Sequence, residues 1–363
     1  MCSARYAVRS SLGILLRTAY CELRTETAIF AHMPTSLVTG GAGFIGAHVV
    51  NELIRQGHKV VVLDDLSGGF MENVNPKAVF VEGSVVDHAL VDRLFTEHRF
   101  EYVYHLAAYA AEGLSHFIKR FNYTNNLTGS VNLINASVKH KVKCFVFTSS
   151  IAVYGALKPP MREDMVPVPE DPYGIAKLAV EMDLKVTHEM FGLNYVIFRP
   201  HNVYGEFQNI GDRYRNVVGI FMNQLMQGKP LTVFGDGSQT RAFSYIGDII
   251  PAIVNSAFTP SAYNQVFNIG ADKDYSVNEL ASLTMKAMGI SGEIRHLDAR
   301  NEVVHAHADH SKVKKYLGEH PLTSLEDGLT RMAAWAKTAG VRKSKKFGEI
   351  EITEKLPPVW LEE

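Results

Sequence analysis

The chain has 363 residues, 46% of them hydrophobic, with 37 basic and 38 acidic side chains. That length and apolar content can bury a full core in two lobes, and a near-neutral chain whose one extended basic block is 341–347 argues against nucleic acid as a partner. No apolar run reaches the length of a membrane span, and three scattered cysteines (Cys2, Cys21, Cys144) make neither a disulfide framework nor a zinc site, so a reducing compartment and no metal are expected.

The first twenty residues carry Arg5, Arg9 and Arg17, three serines and no acid. That is the composition of an organelle transit peptide, and an unstructured extension or translation from Met33 fits it too. The protein is expected to be cytoplasmic unless 1–33 is such a peptide, with the fold beginning near Pro34.

Between a short apolar run at 36–38 and a helical pattern over 44–56 lies T-G-G-A-G-F-I-G, starting at Thr39. A glycine cluster at a strand-to-helix turn suits a phosphate: Gly40 for the tight turn, Gly43 for close backbone approach, Gly46 for packing of helix on strand. The first helical turn, Phe44 and Ile45 included, then offers its N–H groups to a pyrophosphate. The next strand, 59–63, ends in Asp64 and Asp65, acids placed to bond a ribose hydroxyl pair; no Arg follows to meet a 2′-phosphate, which favours NAD over NADP.

A strand near 78–81, a helix near 87–98 and a strand at 102–106 continue the alternation. Buried strands alternating with helices indicate a doubly wound parallel sheet of Rossmann type, with ligands at the strands' C-terminal ends. Val85 follows the third strand, and Leu106, Ala107 and Ala108 end the fourth, small enough there for a flat ring to lie close or simply for packing. A long helical pattern over 117–140 contains Asn122, Asn125 and Asn126, poor helix formers that suggest a bend, a cap or a ligand contact.

The strand at 142–148 leads to Ser149, Ser150 and Tyr154. A loop with five prolines follows, over 159–172. It ends in Asp171, a good N-cap, and Pro172, a good first helical residue. Tyr173 then falls in the first turn and Lys177 one turn later on the same face. A tyrosine, with an unperturbed pKa of about 10, acts as a base near neutrality only if its phenolate is stabilised; a helix N-terminus and a nearby ammonium are expected to do that. A surface i, i+4 pair is the plain alternative.

After a strand at 193–198 and R-P-H-N-V-Y-G (199–205) the alternation breaks. A helix over 215–227, a strand at 231–234, the turn G-D-G-S (235–238) and the segment 241–246 suggest a smaller substrate lobe. The expected domains are thus 34–200 for cofactor, 201–340 mainly for substrate, and a surface tail from 341 to 363. Arg241 and Arg300, among mostly apolar or neutral neighbours, suit partial burial against a phosphate or a structural ion pair.

Seven ordered motifs then form a pattern: T-G-G-A-G-F-I-G at Thr39, H-L-A-A at His105, T-S-S-I-A-V-Y-G at Thr148, Y-G-I-A-K at Tyr173, R-P-H-N-V-Y-G at Arg199, G-D-G-S-Q-T-R at Gly235 and A-D-H-S-K at Ala308. From about Leu37 to Trp335 the chain resembles the extended short-chain dehydrogenase/reductase family, most closely its UDP-glucose 4-epimerase-like branch. The resemblance implies that Tyr173 is the catalytic base, that Lys177 holds the nicotinamide ribose and lowers the Tyr173 pKa, and that Ser150 bonds the reacting hydroxyl. It further implies Asn126 and Val85 as cofactor contacts, Asn202, Arg241 and Arg300 as substrate contacts, resident NAD, a UDP-sugar substrate, and a homodimer built from the helices over 117–140 and 173–191.

After Ser150 the loop reads Ile151-Ala152, where family dehydratases and decarboxylases carry acids, which favours oxidation and reduction at one carbon. UDP-glucose and UDP-galactose are the leading pair, with UDP-glucuronate and UDP-N-acetylglucosamine epimerases, other enzymes on this scaffold, and an inactive NAD-binding scaffold as alternatives. Three departures stand out. Ser84 replaces the usual adenine-binding Asp, and His201 replaces an aromatic residue, where it packs as a ring or bonds a sugar carboxylate or hydroxyl. Ala306 falls at the size-gating position, which implies tolerance of an N-acetyl group at C2.

Overall fold

Unbroken apolar runs make strands that must be covered on both faces, and six of them precede residue 201. The computed structural model describes residues 33–299, 305–343 and 347–360. In chain order come β1 (Thr35–Thr39), α1 (Phe44–Arg55), β2 (Lys59–Asp64), β3 (Val79–Glu82), α2 (His88–His98) and β4 (Tyr102–His105). Helix α3 follows, running Lys119–Tyr123 through a π-helical stretch Thr124–Thr128 into Gly129–Lys139, and then β5 (Cys144–Thr148), α4 (Pro172–Phe191) and β6 (Tyr195–Pro200).

Later come β7 (Val203–Tyr204), α5 (Val217–Met226), β8 (Leu231–Phe234), β9 (Thr240–Ala242), β10 (Ser244–Tyr245), α6 (Ile246–Ser256) and β11 (Gln265–Ile269). The series ends with β12 (Asp274–Ser276), α7 (Val277–Met288), β13 (Ile294–Leu297), β14 (His305–Ala306), α8 (Ser311–Leu317) and α9 (Leu325–Ala339).

The main sheet has seven strands in the order β11-β6-β5-β4-β1-β2-β3, every neighbouring pair parallel. Chain order reverses between β1 and β4, and such a switch point opens a crevice at the strands' C-terminal ends. Side chains alternate between two cores: Val38, Val60 and Val62 face α1 and α6, whereas Leu37, Val61 and Leu63 face α2, α3 and α4. Strand β11 returns to the main sheet from beyond residue 201, so the sheet extends past the segment that supplies its other strands.

Helix α3 departs from the single regular helix expected over 117–140. Its π-helical stretch coincides with the asparagines, whose side chains bond neighbouring segments: Asn122 Nδ2 donates to Pro172 O at 2.8 Å, and Asn126 bonds both the N–H and the carbonyl of Tyr109. A widened turn places these amides where a regular helix would not. Helix α4 starts as its sequence dictates, with Asp171 Oδ1 accepting the Gly174 N–H at 2.9 Å and Pro172 in the first turn.

The tail covers an apolar patch, Leu356 and Trp360 packing with Ala111, Leu114, Ile118 and Tyr214. Glu351 accepts the N–H groups of Arg120 and Phe121 at 2.9 and 3.0 Å, capping the first turn of α3. Cys144 is a buried free thiol in β5. The expectations for 1–32, Arg300, Cys2 and Cys21 lie outside the described residues.

Candidate active site

At the switch point, Gly40 has φ +72°, and a Cβ there would stand 2.8 Å from Ala107 N; a Cβ on Gly46 would stand 2.0 Å from Gly40 O. Only glycine lets the loop, the β4 end and α1 close up in this way. Gly43 is the N-cap of α1 and no side chain caps the helix, so the N–H groups of Phe44, Ile45 and Gly46 begin a helix with no side-chain acceptor in front of them. Asp64 is buried at the end of β2; its Oδ2 accepts the Ala42 N–H at 3.0 Å and its Oδ1 the Leu66 N–H at 2.8 Å. Burial pushes its carboxyl pKa up, and these two N–H bonds work against the rise. Asp65 is exposed on the rim, its Oδ1 accepting the Ser67 N–H at 3.0 Å.

The opposite wall is set by a hidden chain. Ser130 Oγ donates to Asn126 O at 2.7 Å, so its oxygen accepts from His105 Nε2 at 2.8 Å; His105 Nδ1 then accepts from Thr39 Oγ1 at 2.7 Å, and Thr39 accepts the Ala107 N–H at 3.3 Å. Burial, helped by the Lys177 charge, lowers the His105 pKa to about 3, so the ring is neutral as this chain requires. The result is a fixed Leu106–Ala107–Ala108 segment. Asn126 is engaged on all sides by Tyr109, Asn122 and Asn125, so its side chain braces the wall and is not free to point at a ligand. Val85 is buried against Gly129, with its carbonyl held by Asn132 Nδ2 at 3.0 Å, and Ser84 Oγ accepts the Val86 N–H at 3.3 Å, turned onto its own loop. This cradle fits a dinucleotide: glycines where any side chain would fill it, an uncapped helix start and an acid at the β2 end.

Ser150, Tyr173 and Lys177 come together beyond β5. All three are buried. Ser150 Oγ accepts the Ala152 N–H at 3.1 Å, leaving its own proton to donate; Lys177 Nζ donates to Thr148 O at 2.8 Å and lies 5.8 Å from the centre of the Tyr173 ring. The electrostatics differ from expectation. Tyr173 is pushed well above its ordinary pKa by burial and by the Glu112 and Asp171 carboxylates, with the Ser150 hydrogen bond and Arg215 working the other way. The helix N-terminus does not prevail against burial, and the same first turn carries Asp171 as its cap. Burial lowers Lys177 to about 7, and the Glu181 charge partly offsets this. Thr148 Oγ1 is buried beside this group with no partner among the described residues, a polar atom left over at the strand end.

On the substrate side, Asn202 is exposed in the left-handed region (φ +41°), and its Nδ2 donates to Ala242 O at 3.2 Å. Arg241, adjacent on β9, is half-buried, with Nη1 donating to Thr240 O at 2.8 Å; Ala306 on β14 pairs with it in register and is buried. His201 is buried with both ring nitrogens engaged, Nδ1 with Ala242 O and Nε2 with His310, so of the two roles open to it the packed ring holds. Sequence reasoning missed Glu112 and Arg215, which act on Tyr173 from the short helix Glu112–Ser115 and from a loop, with no motif of their own. Arg215 also lies over the Tyr109 ring at 4.7 Å.

A doubly wound sheet with a glycine cradle at its switch point and a Ser-Tyr-Lys cluster one strand away defines a Rossmann-type, dinucleotide-dependent enzyme class. Comparison with known proteins narrows it. The chain belongs to the NAD dependent epimerase/dehydratase family, whose model matches residues 36–270. It is 34% identical to the UDP-glucose 4-epimerase of Mycolicibacterium smegmatis over 304 residues, 82% of this chain and 96% of that one. The structure of the Thermotoga maritima UDP-glucose 4-epimerase with UDP-glucose is similar at a TM-score of 0.81 and 38% identity, covering 84% of this chain and 99% of its own. The Bacillus cereus UDP-glucuronic acid 4-epimerase with UDP-glucuronic acid and NAD is similar at 0.77 and 31%, covering 84% and 99%.

Proposed function

We propose that this protein interconverts the C4 epimers of a UDP-sugar with NAD as its resident oxidant, UDP-glucose and UDP-galactose being the leading pair. The observation that carries this is the convergence of Ser150, Tyr173 and Lys177 beside a glycine cradle in a chain of this family. Residues 34–200 would hold NAD through the Gly40–Gly46 loop, Asp64 and the Leu106–Ala108 wall, and 201–340 the nucleotide-sugar through Asn202, Arg241 and Arg300. When bound, NAD supplies the acceptor for the C4 hydride and gives it back. Tyr173 Oη takes the proton of the sugar 4-hydroxyl as the hydride leaves, with the Ser150 hydroxyl bonded to the same oxygen; the 4-keto sugar turns over, and Tyr173 returns the proton as the hydride comes back to the other face. A buried phenol with a raised pKa returns that proton readily. The Lys177 ammonium, beside the ring, supplies charge for the opposite direction.

Ala306 favours a second substrate reading, an N-acetylated UDP-sugar, because a small residue there leaves room. Helix α4 exposes Ile175, Met182, Val186, Met190 and Phe191, an apolar stripe that supports a homodimer through α3 and α4. No helix among the described residues is long and apolar enough to cross a membrane. The free Cys144 suits the reducing cytoplasm.

The test is to incubate the purified protein, without added cofactor, with UDP-glucose, UDP-N-acetylglucosamine and UDP-glucuronate, and to separate 4-epimers chromatographically. Conversion of one of them, lost by at least about 1000-fold in Tyr173→Phe with bound NAD retained, is the expected outcome. A stable keto product or net NADH consumption would assign another reaction on this scaffold, and full activity in Tyr173→Phe would remove the tyrosine from the chemistry.

A further inference from the structure

Under the Asn202 turn lies a chain that the epimerase chemistry does not use. His201 Nδ1 is 3.1 Å from Ala242 O, His201 Nε2 is 2.9 Å from His310 Nε2, and His310 Nδ1 is 2.7 Å from Asp272 Oδ1. The two rings stack at 26° and are almost wholly buried. Lys314 holds the other carboxylate oxygen of Asp272 at 2.8 Å.

The protons can be counted. Ala242 O only accepts, so His201 Nδ1 carries a hydrogen; Asp272, bonded to His310 and Lys314, accepts as a carboxylate, so His310 Nδ1 carries one as well. The contact between the two Nε2 atoms needs a third. Two neutral imidazoles hold two ring protons, so three leave the pair with one positive charge opposite Asp272. Burial, reinforced by His310, keeps the His201 pKa down at about 3, and of the two rings only His310 faces a carboxylate. Without that proton two lone pairs face each other at hydrogen-bond distance, or His201 gives up Ala242. The remaining titratable groups near the rings are His307 and Asp309, with Glu319 near Lys314.

The chain bears on the substrate side directly. Ala242 O accepts from both His201 and Asn202, Ser244 Oγ donates to His201 O at 2.8 Å, and Ser244 N donates to Asn202 O at 3.2 Å. Gly270 leaves the space that the ring needs, since a Cβ there would stand 2.5 Å from His201 Nε2. We propose that His201, His310 and Asp272 are positioning residues that share one extra proton and hold the Asn202 turn against the strand carrying Arg241, so that the grip on the nucleotide-sugar weakens when that proton leaves. This rests on the reading of Asn202 and Arg241 as substrate contacts.

The test uses the full-length protein and whichever of the three UDP-sugars it converts. KM for that sugar is expected to rise about tenfold between about pH 5.5 and 8.5, the span in which imidazoles change charge, while Asp272→Asn holds KM at the high value throughout with kcat within about twofold. Asp272 is half-exposed, so this variant is not expected to unfold; His310→Gln, checked by circular dichroism, is the second variant and is expected to behave in the same way. Nitrogen-15 NMR of labelled imidazoles, with the His310 signals assigned by their absence in His310→Gln, should show that ring protonated at both nitrogens near pH 6. Turnover with a KM that is flat with pH in the parent, or variants that track the parent at every pH, would overturn the shared proton while leaving the epimerase reading intact. Failure to convert any UDP-sugar would overturn both.

Discussion

Arg199 and His201 flank Pro200 at the end of β6, and each closes a buried polar chain, yet the two chains hold their charge differently. Arg199 grips Glu181 through two nitrogens at 3.0 and 2.5 Å, Ser149 donates to the same carboxylate, and Tyr154 and Asn268 extend the network at 2.7 and 2.9 Å. The Arg199 guanidinium, its pKa raised by Glu181, keeps its charge, and each named donor meets an acceptor. The His201 chain is as deeply buried, but its charge is a proton that solvent can remove through a half-exposed Asp272. The wall behind Ser149 and Ser150 therefore keeps its shape over a wide pH range, whereas the wall under Asn202 depends on protonation.

The harshest way to break this contrast is to remove one partner of the Arg199–Glu181 pair. Arg199→Leu leaves Glu181 buried and uncompensated, and is expected to cost about 3–5 kcal/mol, read as a fall in the urea midpoint. The double variant Glu181→Leu with Arg199→Leu is expected to recover much of the loss, since an apolar pair of similar volume removes the orphaned charge. A single-variant cost below about 1 kcal/mol would reduce the network to the worth of a surface pair and dissolve the comparison.

Lys177 stands between the two kinds of site, a cation held where charge is disfavoured. Its folded pKa of about 7 lies below the unfolded value, so between about 7 and 10.4 the unfolded chain binds the extra proton and stability rises with pH. Below pH 7 the full cost of the buried ammonium is present. Lys177→Met is therefore expected to be more stable than the parent at pH 6 by a few kcal/mol, with the gap narrowing by pH 9 and turnover abolished. Identical urea midpoints at both pH values would show that the ammonium is held without strain.

What was readable beforehand followed from local chemistry. The glycine loop, the acid at the end of β2 and the Asp171-Pro172 start of α4 are written in adjacent residues, and the strands in unbroken apolar runs. The π-helical stretch of α3 was not readable, because its asparagines point to an irregularity without saying that one bonds Pro172 O and another Tyr109. The raised pKa of Tyr173 was not readable for a similar reason: it comes first from burial and then from Glu112, which lies 61 residues away along the chain and in no motif. The His201–His310–Asp272 chain joins three segments that only the fold brings together, although the His at 201 in place of an aromatic residue was itself a visible sign.

The smallest expected effect separates grip from shape on the proton-dependent side. Ala306 pairs with Arg241 across β14 and β9, so a large ring there is expected to crowd the sugar. Ala306→Tyr is expected to lower the ratio of UDP-N-acetylglucosamine to UDP-glucose turnover by about tenfold, the usual reach of a steric filter of this size. Asp272→Asn should shift KM for both sugars alike and leave that ratio unchanged, because it acts on the turn that holds the nucleotide. If Ala306→Tyr leaves the ratio unchanged, the residue lies outside the sugar pocket; if Asp272→Asn moves the ratio, grip and shape are set by one structure and the two walls are not independent.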